Sequence, residues 1–203
     1  MFSPYLEDPL IAKIQSVLQP VEMVDDTHIP KREGQRQASV LMPLVRRDEW
    51  QILFTRRPMH MKKYPGQIAF PGGGIEAGES PRQGALRETH EEIGIAEENI
   101  FILGRLPSFN AVSEYRITPF IGLLNPQVEI VPDPGEVDEV FEASFSFFMN
   151  KNNHIERHVE FDGQTHTLFD MPWPSQDNIT HHIWGMTAMM IYRLYQKLGQ
   201  LKA

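Results

Sequence analysis

Residues 70–95 read FPGGGIEAGESPRQGALRETHEEIGI, a glycine run followed by a helix whose two ends are marked and whose middle is acidic. Ser80 is an N-cap residue, Pro81 suits the first helical position, and Gln83 completes a Ser-x-x-Gln capping box. Gly94 fits the left-handed residue that closes such a helix. At about 100° per residue, Ala85, Leu86, Thr89 and Ile93 share one face, while Glu88, Glu91 and Glu92 gather on another with Arg87 beside Glu91. Carboxylates spaced as Glu88 and Glu92 are repel by roughly 0.2–0.5 kcal/mol in an isolated helix. A divalent cation reverses that sign. Two readings follow: a solvated acidic face, or a site in which Glu88 and Glu92 hold one Mg²⁺, with carbonyls of the glycine turn and water completing an oxygen shell.

The rest of the chain bounds the chemistry. Its 203 residues, 41% hydrophobic and 23% charged, describe one globular domain with peripheral additions, large enough to need no covalent staple. Cysteine is absent, which removes disulfides, thiolate catalysis and cysteine-based zinc sites, and fits a reducing compartment. No signal-peptide pattern opens the chain and no long apolar run interrupts it, so a cytoplasmic protein with no membrane partner is expected. A net charge of −8 argues against nucleic acid as a partner. Small anionic substrates remain open if metal and local cations bring them in. The eight histidines include the pair His181-His182, yet no two have the helical spacing of a zinc protease, and a structural role is expected.

Outside the central stretch, Asp8-Pro9 caps a first helix with Leu10, Ile11, Ile14, Val17 and Leu18 at helical spacing. Residues 21–37 read as a loop, and 1–36 as a segment packed on a domain spanning 37–203. Strands are predicted at Ala38–Val45 and Trp50–Thr55, joined as a hairpin through 46–49, and again at Ile100–Leu106 and Tyr115–Leu124. Pro43 and Pro119 count against central positions or mark bulges. FEASFSFFM (141–149) is predicted as a short buried helix. His154–Phe161 and Thr165–Phe169 form another hairpin around Asp162-Gly163-Gln164. Trp184, Ala188, Ile191, Tyr195 and Leu198 define the packing face of a C-terminal helix. Strands on either side of one well-marked helix, with a second helix at the end, imply an α/β fold whose mixed sheet is covered on both faces.

Just upstream of the glycines, LFTRRPMHMKKYPGQIAF (53–70) clusters Arg56, Arg57, Lys62 and Lys63. A diphosphate needs neutralisation beyond one cation; arginine offers a bidentate fork and lysine a point charge. A solvated basic loop is the plain alternative.

Gly73, five residues, Glu79, seven residues, then Arg87-Glu88-Thr89-His90-Glu91-Glu92-Ile93-Gly94-Ile95 resembles the Nudix box, with Thr89 where the family pattern has a bulky aliphatic. The upstream stretch resembles the signature of the coenzyme A pyrophosphatase branch, matched by Leu53, Thr55, Arg57, Gly66, Phe70, Pro71, Gly72 and Gly73. It departs from that signature at Phe54, Pro58 and Lys62, where the lysine keeps the charge without the planar fork. Ile183–Ala188 is also similar to that branch. The resemblance implies an α/β/α sandwich and Mg²⁺- or Mn²⁺-dependent hydrolysis of coenzyme A, or a derivative, to 4′-phosphopantetheine and adenosine 3′,5′-bisphosphate. The alternatives are another nucleoside diphosphate derivative, such as ADP-ribose, a dinucleoside polyphosphate or an oxidised nucleotide, and a non-catalytic binding protein of the same fold. It further implies Glu88, Glu92, Glu91 and Gly73 as metal ligands, Arg56, Arg57, Lys62, Gly66 and Phe70 at the substrate, and Arg87 and Glu91 in the catalytic group. The base is expected in GEVDEVF (135–141), with Glu139 favoured over Glu136. The expected partner is a small-molecule nucleotide of the coenzyme A class, and a homodimer is left open.

Overall fold

A computed structural model of the chain describes residues 2–23, 33–111, 114–161, 163–175 and 177–201. Part of the predicted 21–37 loop lies outside these residues. In chain order the elements are α1 (Ser3–Leu6), α2 (Pro9–Val17), β1 (Arg36–Arg46), β2 (Trp50–Arg56), β3 (Ile68–Ala69), β4 (Gly72–Gly74), α3 (Pro81–Ile93), β5 (Ile100–Arg105), β6 (Phe109–Asn110), β7 (Tyr115–Leu124), β8 (Glu139–Ser144), α4 (Phe145–Phe148), β9 (Ile155–Phe161), β10 (Gln164–Pro174), β11 (Thr180–Trp184) and α5 (Gly185–Gln200).

Strands β1 to β8 form one mixed sheet, in which β1 and β7 are parallel and the other pairs antiparallel. The strands at its centre carry continuous apolar runs, 40–45 in β1 and 119–124 in β7, because both faces are covered there. Along β1, Leu41 and Val45 pack under α3 with Leu53, Ala85, Leu86, Ile93 and Phe120, while Met42 and Leu44 face the other way, against Ile11 and Ile14 of α2 and Ala188, Ile191 and Leu194 of α5. The fold is therefore a sheet between helices, as expected. β9 to β11 make a separate antiparallel sheet whose inner residues Phe169, Met171 and Ile183 join the α5 side of the core.

Strands β1 and β2 pair only near their turn, at 44–46 with 50–52. Beyond it the 68–74 segment enters between them, β3 pairing with the end of β2 and β4 with the start of β1. This wedge explains why Pro43 sits in a central strand. The Leu41 N–H donates toward the wedge, to Pro71 O at 2.9 Å; by alternation residue 43 faces the same side, in the gap between the β4 and β2 ladders, where no donor is needed. Pro119 lies in the matching gap between β5 and β6, and its carbonyl accepts from Leu106 N at 2.9 Å.

Two predicted elements differ. The 141–149 stretch is not one helix: β8 runs to Ser144, pairs with β2 residue for residue, and leaves one helical turn after it. Phe141 stacks on Phe54 at 5.3 Å, and that pairing overrides local preference. In α5, Trp184 precedes the helix and is 49% exposed, while Leu194 supplies the core contact.

Candidate active site

The box helix α3 is built as its caps require. The Ser80 side chain accepts from Gln83 N (3.3 Å), the Gln83 side chain accepts from Ser80 N (2.9 Å), and Gly94 closes the helix at φ 73°. Thr89, fully buried, donates its hydroxyl to Ala85 O at 2.6 Å, so the departure from an aliphatic leaves no unpaired group in the core.

At Gly72 and Gly73, β4 runs so close to β1 and α3 that a Cβ would collide with them. A Cβ on Gly72 would lie 2.4 Å from Ser39 O, and one on Gly73 2.5 Å from the Glu88 carboxylate. The Gly72 N–H donates to Glu92 Oε2 at 3.2 Å. Glu92 is only 4% exposed, and burial, with neighbouring Glu88 adding to it, pushes its pKa up to about 8. Burial raises Glu88 as well.

The third carboxylate arrives from the loop between β7 and β8, on the α3 face of the sheet. Val131 N donates to Ile93 O and Asp133 N to Glu92 O, both at 3.0 Å, so the loop after β7 caps the end of α3, and buried Val137 pins it beneath the helix. These ties bring Glu136 to Glu88 and Glu92, one oxygen of each lying within 4.8 Å of the others. Glu139 is not in this group. It is registered opposite Arg56 on β2, its Oε2 3.2 Å from Arg56 Nη1 and its Oε1 4.0 Å from Nε2 of buried His181. Of the two glutamates expected as candidate bases, Glu136 and not the favoured Glu139 joins the carboxylate group: the turn at 134–136 brings one to the helix, and the strand that follows sets the other against Arg56.

Arg87 holds the assembly together. It donates to Glu79 through Nε (3.0 Å) and Nη2 (3.2 Å), to Gly74 O (2.9 Å), to Glu88 Oε1 (3.0 Å) and to Glu91 Oε2 (2.7 Å). Its hydrogen bonds hold Glu79 below the usual carboxylate range, and Glu79 in turn is the largest cause that pushes the Arg87 pKa further up. Glu79 was absent from the predicted site residues, although the spacing to Arg87 contained the signal. Glu91, expected at the metal, is half exposed and engaged by Arg87, outside the three-carboxylate group.

Among the upstream cations, Arg56 is neutralised by Asp138 (2.9 Å) and Glu139. Arg57 is different: its Nε is buried without a hydrogen-bond partner, and its charge acts on Glu92. Lys62 is exposed, and Gly66 turns the loop back at φ 68°. Phe70, expected at the substrate, is 3% exposed and stacked on Phe54 at 5.2 Å, so it serves the core instead. The 183–188 stretch reaches the same region, since Thr187 donates to Ile68 O at 3.0 Å. His181, expected in a structural role, is stacked on Phe141 at 4.0 Å beside Glu139.

A glycine turn wedged beside a capped helix, with Arg87 tying the turn to Glu79 and with Glu88 and Glu92 meeting Glu136, is matched by the NUDIX domain model over residues 35–169. The chain belongs to the Nudix family. It is an enzyme of that family, a hydrolase of a phosphate-containing substrate, and Nudix hydrolases use divalent cations and act on small nucleotides. A relative from Enterobacter sp. (strain 638), described as the uncharacterized Nudix hydrolase NudL, is 36% identical over 82% of this chain and 84% of its own length. Its counterpart from Escherichia coli (strain K12) is 33% identical over 81% and 83%. Among solved Nudix structures, a MutT/nudix family protein from Enterococcus faecalis aligns over 86% of this chain and 64% of its own, with a TM-score of 0.50 and 17% identity, a likeness of fold. No helix among the described residues is long and apolar enough to cross a membrane.

The residues fit a hard divalent cation. Three carboxylates with oxygen donors only, two of them buried enough to hold protons above their usual range, are a set that such an ion stabilises by displacing those protons.

Proposed function

We propose that this Nudix hydrolase cleaves the diphosphate bond of coenzyme A or a close derivative, giving 4′-phosphopantetheine and adenosine 3′,5′-bisphosphate. The observation that carries the reading is the position of the 53–70 signature. It leads directly into the glycine wedge, and its Arg57 lies half-buried next to Glu92 with Nε unsatisfied. Lys62 and Lys63 are exposed cations on the same loop, with no ion pair to a described residue, and suit the 3′-phosphate that distinguishes coenzyme A from simpler diphosphates.

Glu88, Glu92 and Glu136 would hold Mg²⁺ or Mn²⁺, with the Gly73 carbonyl as the backbone candidate. When bound, such an ion polarises the diphosphate and stabilises charge on the leaving oxygen. Arg57 donates to a diphosphate oxygen and orients the scissile bond. Glu136, on a turn rather than in the buried floor, takes the proton from the attacking water. Arg87 positions Glu88 and the glycine turn without touching substrate, and the Arg56–Glu139 pair fixes the β2–β8 junction behind them.

Product analysis tests the proposal. Pure protein incubated separately with coenzyme A, ADP-ribose and NADH, with Mg²⁺ and with Mn²⁺, should release adenosine 3′,5′-bisphosphate from coenzyme A fastest. Faster AMP release from ADP-ribose would assign the site to another nucleoside diphosphate.

A further inference from the structure

Strand β9 is the edge of the small sheet. β10 pairs with it over seven consecutive residues without a bulge, and among the described residues no strand pairs with its other side. Edge strands are usually blunted by charged side chains, lysine above all, by proline or by a bulge. IERHVEF has no lysine, proline or bulge, and two of its three charged residues, Arg157 and Glu160, are held by β10. Ile155 and Val159 are 45% and 40% exposed on the outward face, and Ile155, Asp170 and the half-exposed Trp184 stand side by side across the sheet.

The charges on β9 are unequally engaged. Arg157 bonds Asp170 at 2.5 Å, Glu160 accepts from Thr165 at 2.5 Å, and His158 Nδ1 lies 3.3 Å from Thr167 Oγ1. Glu156 has no hydrogen bond or ion pair to a described residue.

We propose that β9 pairs antiparallel with β9 of a second copy about a two-fold axis through Arg157, joining the two small sheets into one. A two-fold axis perpendicular to the sheet keeps outward side chains beside outward ones, which restricts the register to those centred on a residue. Centred on Arg157, Ile155 meets the copy's Val159 and Glu156 meets the copy's His158, each twice by symmetry. Centred on His158, Glu156 would instead meet the copy's Glu160, and centred on Glu156, Ile155 would meet an arginine. A carboxylate facing an imidazole N–H donor, like apolar pairs across strands, stabilises, and two facing carboxylates destabilise, so the first register is selected. Arg157 meets its counterpart on the axis, where each guanidinium is already neutralised by the buried Asp170.

Sedimentation velocity of the full chain over a concentration series tests this, with circular dichroism and hydrolase activity as controls for folding. Wild type should approach twice 23.4 kDa as concentration rises. Glu156→Lys, which removes the carboxylate acceptor facing His158 at both ends and puts a cation in its place, should weaken the dimer by about tenfold or more. Adding His158→Glu to that variant places lysine opposite glutamate again and should restore association. Wild type remaining monomeric, Glu156→Lys dimerising as tightly as wild type, or the double variant failing to recover would each overturn the proposal. Because β9 contributes nothing to the carboxylate site, the outcome is independent of the substrate assignment.

Discussion

Replacing Glu92 by Gln should uncouple folding from both proton and metal. In the folded chain Glu92 titrates at about 8, against 4.5 for a free glutamate, because burial disfavours its charge. Below the unfolded value both states carry the proton. Between the two values only the native state keeps it, so stability falls as pH rises and the contribution is lost once pH passes the folded pKa. A tenfold change in proton affinity is about 1.4 kcal/mol, which makes the total loss at most about 5 kcal/mol. Burial raises Glu88 too, and its effect has the same sign. Glu79, held low mainly by Arg87, contributes in the opposite sense and only as pH falls through the acid range, outside this window. For a domain of this size about 1 kcal/mol corresponds to roughly 2–4 °C, so the metal-free protein should melt roughly 10 °C lower at pH 8.5 than at pH 5. Mg²⁺ should recover most of that difference at pH 8.5 by taking the proton's place. Thermal unfolding in chelator and in Mg²⁺ across this range is the assay. Glu92→Gln should flatten the metal-free profile and abolish the Mg²⁺ gain. A flat wild-type profile would refute the buried-proton argument, and an undiminished Mg²⁺ gain in Glu92→Gln would place the cation elsewhere.

Two kinetic predictions and one of metal binding accompany it. Glu136→Gln should lower kcat by about 10²–10⁴ as expected for a general base, and Glu139→Gln by much less; the reverse ranking in steady-state kinetics would return the base to Glu139. Arg57→Ala should cut kcat/KM about ten- to hundredfold, the equivalent of one charged hydrogen bond, while Arg56→Ala mainly lowers Tm; equal kinetic losses would show that both arginines reach substrate. Gly73→Ala should weaken metal binding, measured by Mn²⁺ titration, because its Cβ would displace the Glu88 carboxylate it would meet at 2.5 Å, and unchanged Mn²⁺ affinity would contradict that geometry.

The box helix was readable because its signals are local: Ser80, Pro81, Gln83 and Gly94 fix both ends whatever surrounds them. Strands β1, β2, β5 and β7 of the central sheet were readable from their apolar runs, since α3 on one face and α2 with α5 on the other bury both sides. What failed to show depends on tertiary arrangement. Pro43 looks like an interruption until the wedge opens a gap in the ladder beside it, and Pro119 until the break between β5 and β6 does the same. FEASFSFFM has aromatic residues at spacings that suit a helix turn or a strand, and only pairing with β2 decides. The choice between Glu136 and Glu139 rests on where the turn after Asp133 ends, and that turn is set by hydrogen bonds to the carbonyls of Glu92 and Ile93, distant in sequence. Phe70 lies inside a motif associated with substrate, yet its ring fills the core against Phe54.

The most direct measurement compares kcat/KM for coenzyme A and for dephospho-coenzyme A, which differ only in the 3′-phosphate, in wild type and in Lys62→Ala and Arg57→Ala. Wild type should prefer coenzyme A by about ten- to hundredfold, the worth of a charged hydrogen bond, and at least one of the two variants should narrow that ratio. Equal rates on the two substrates in wild type, or a preference for ADP-ribose over both, would contradict the assignment.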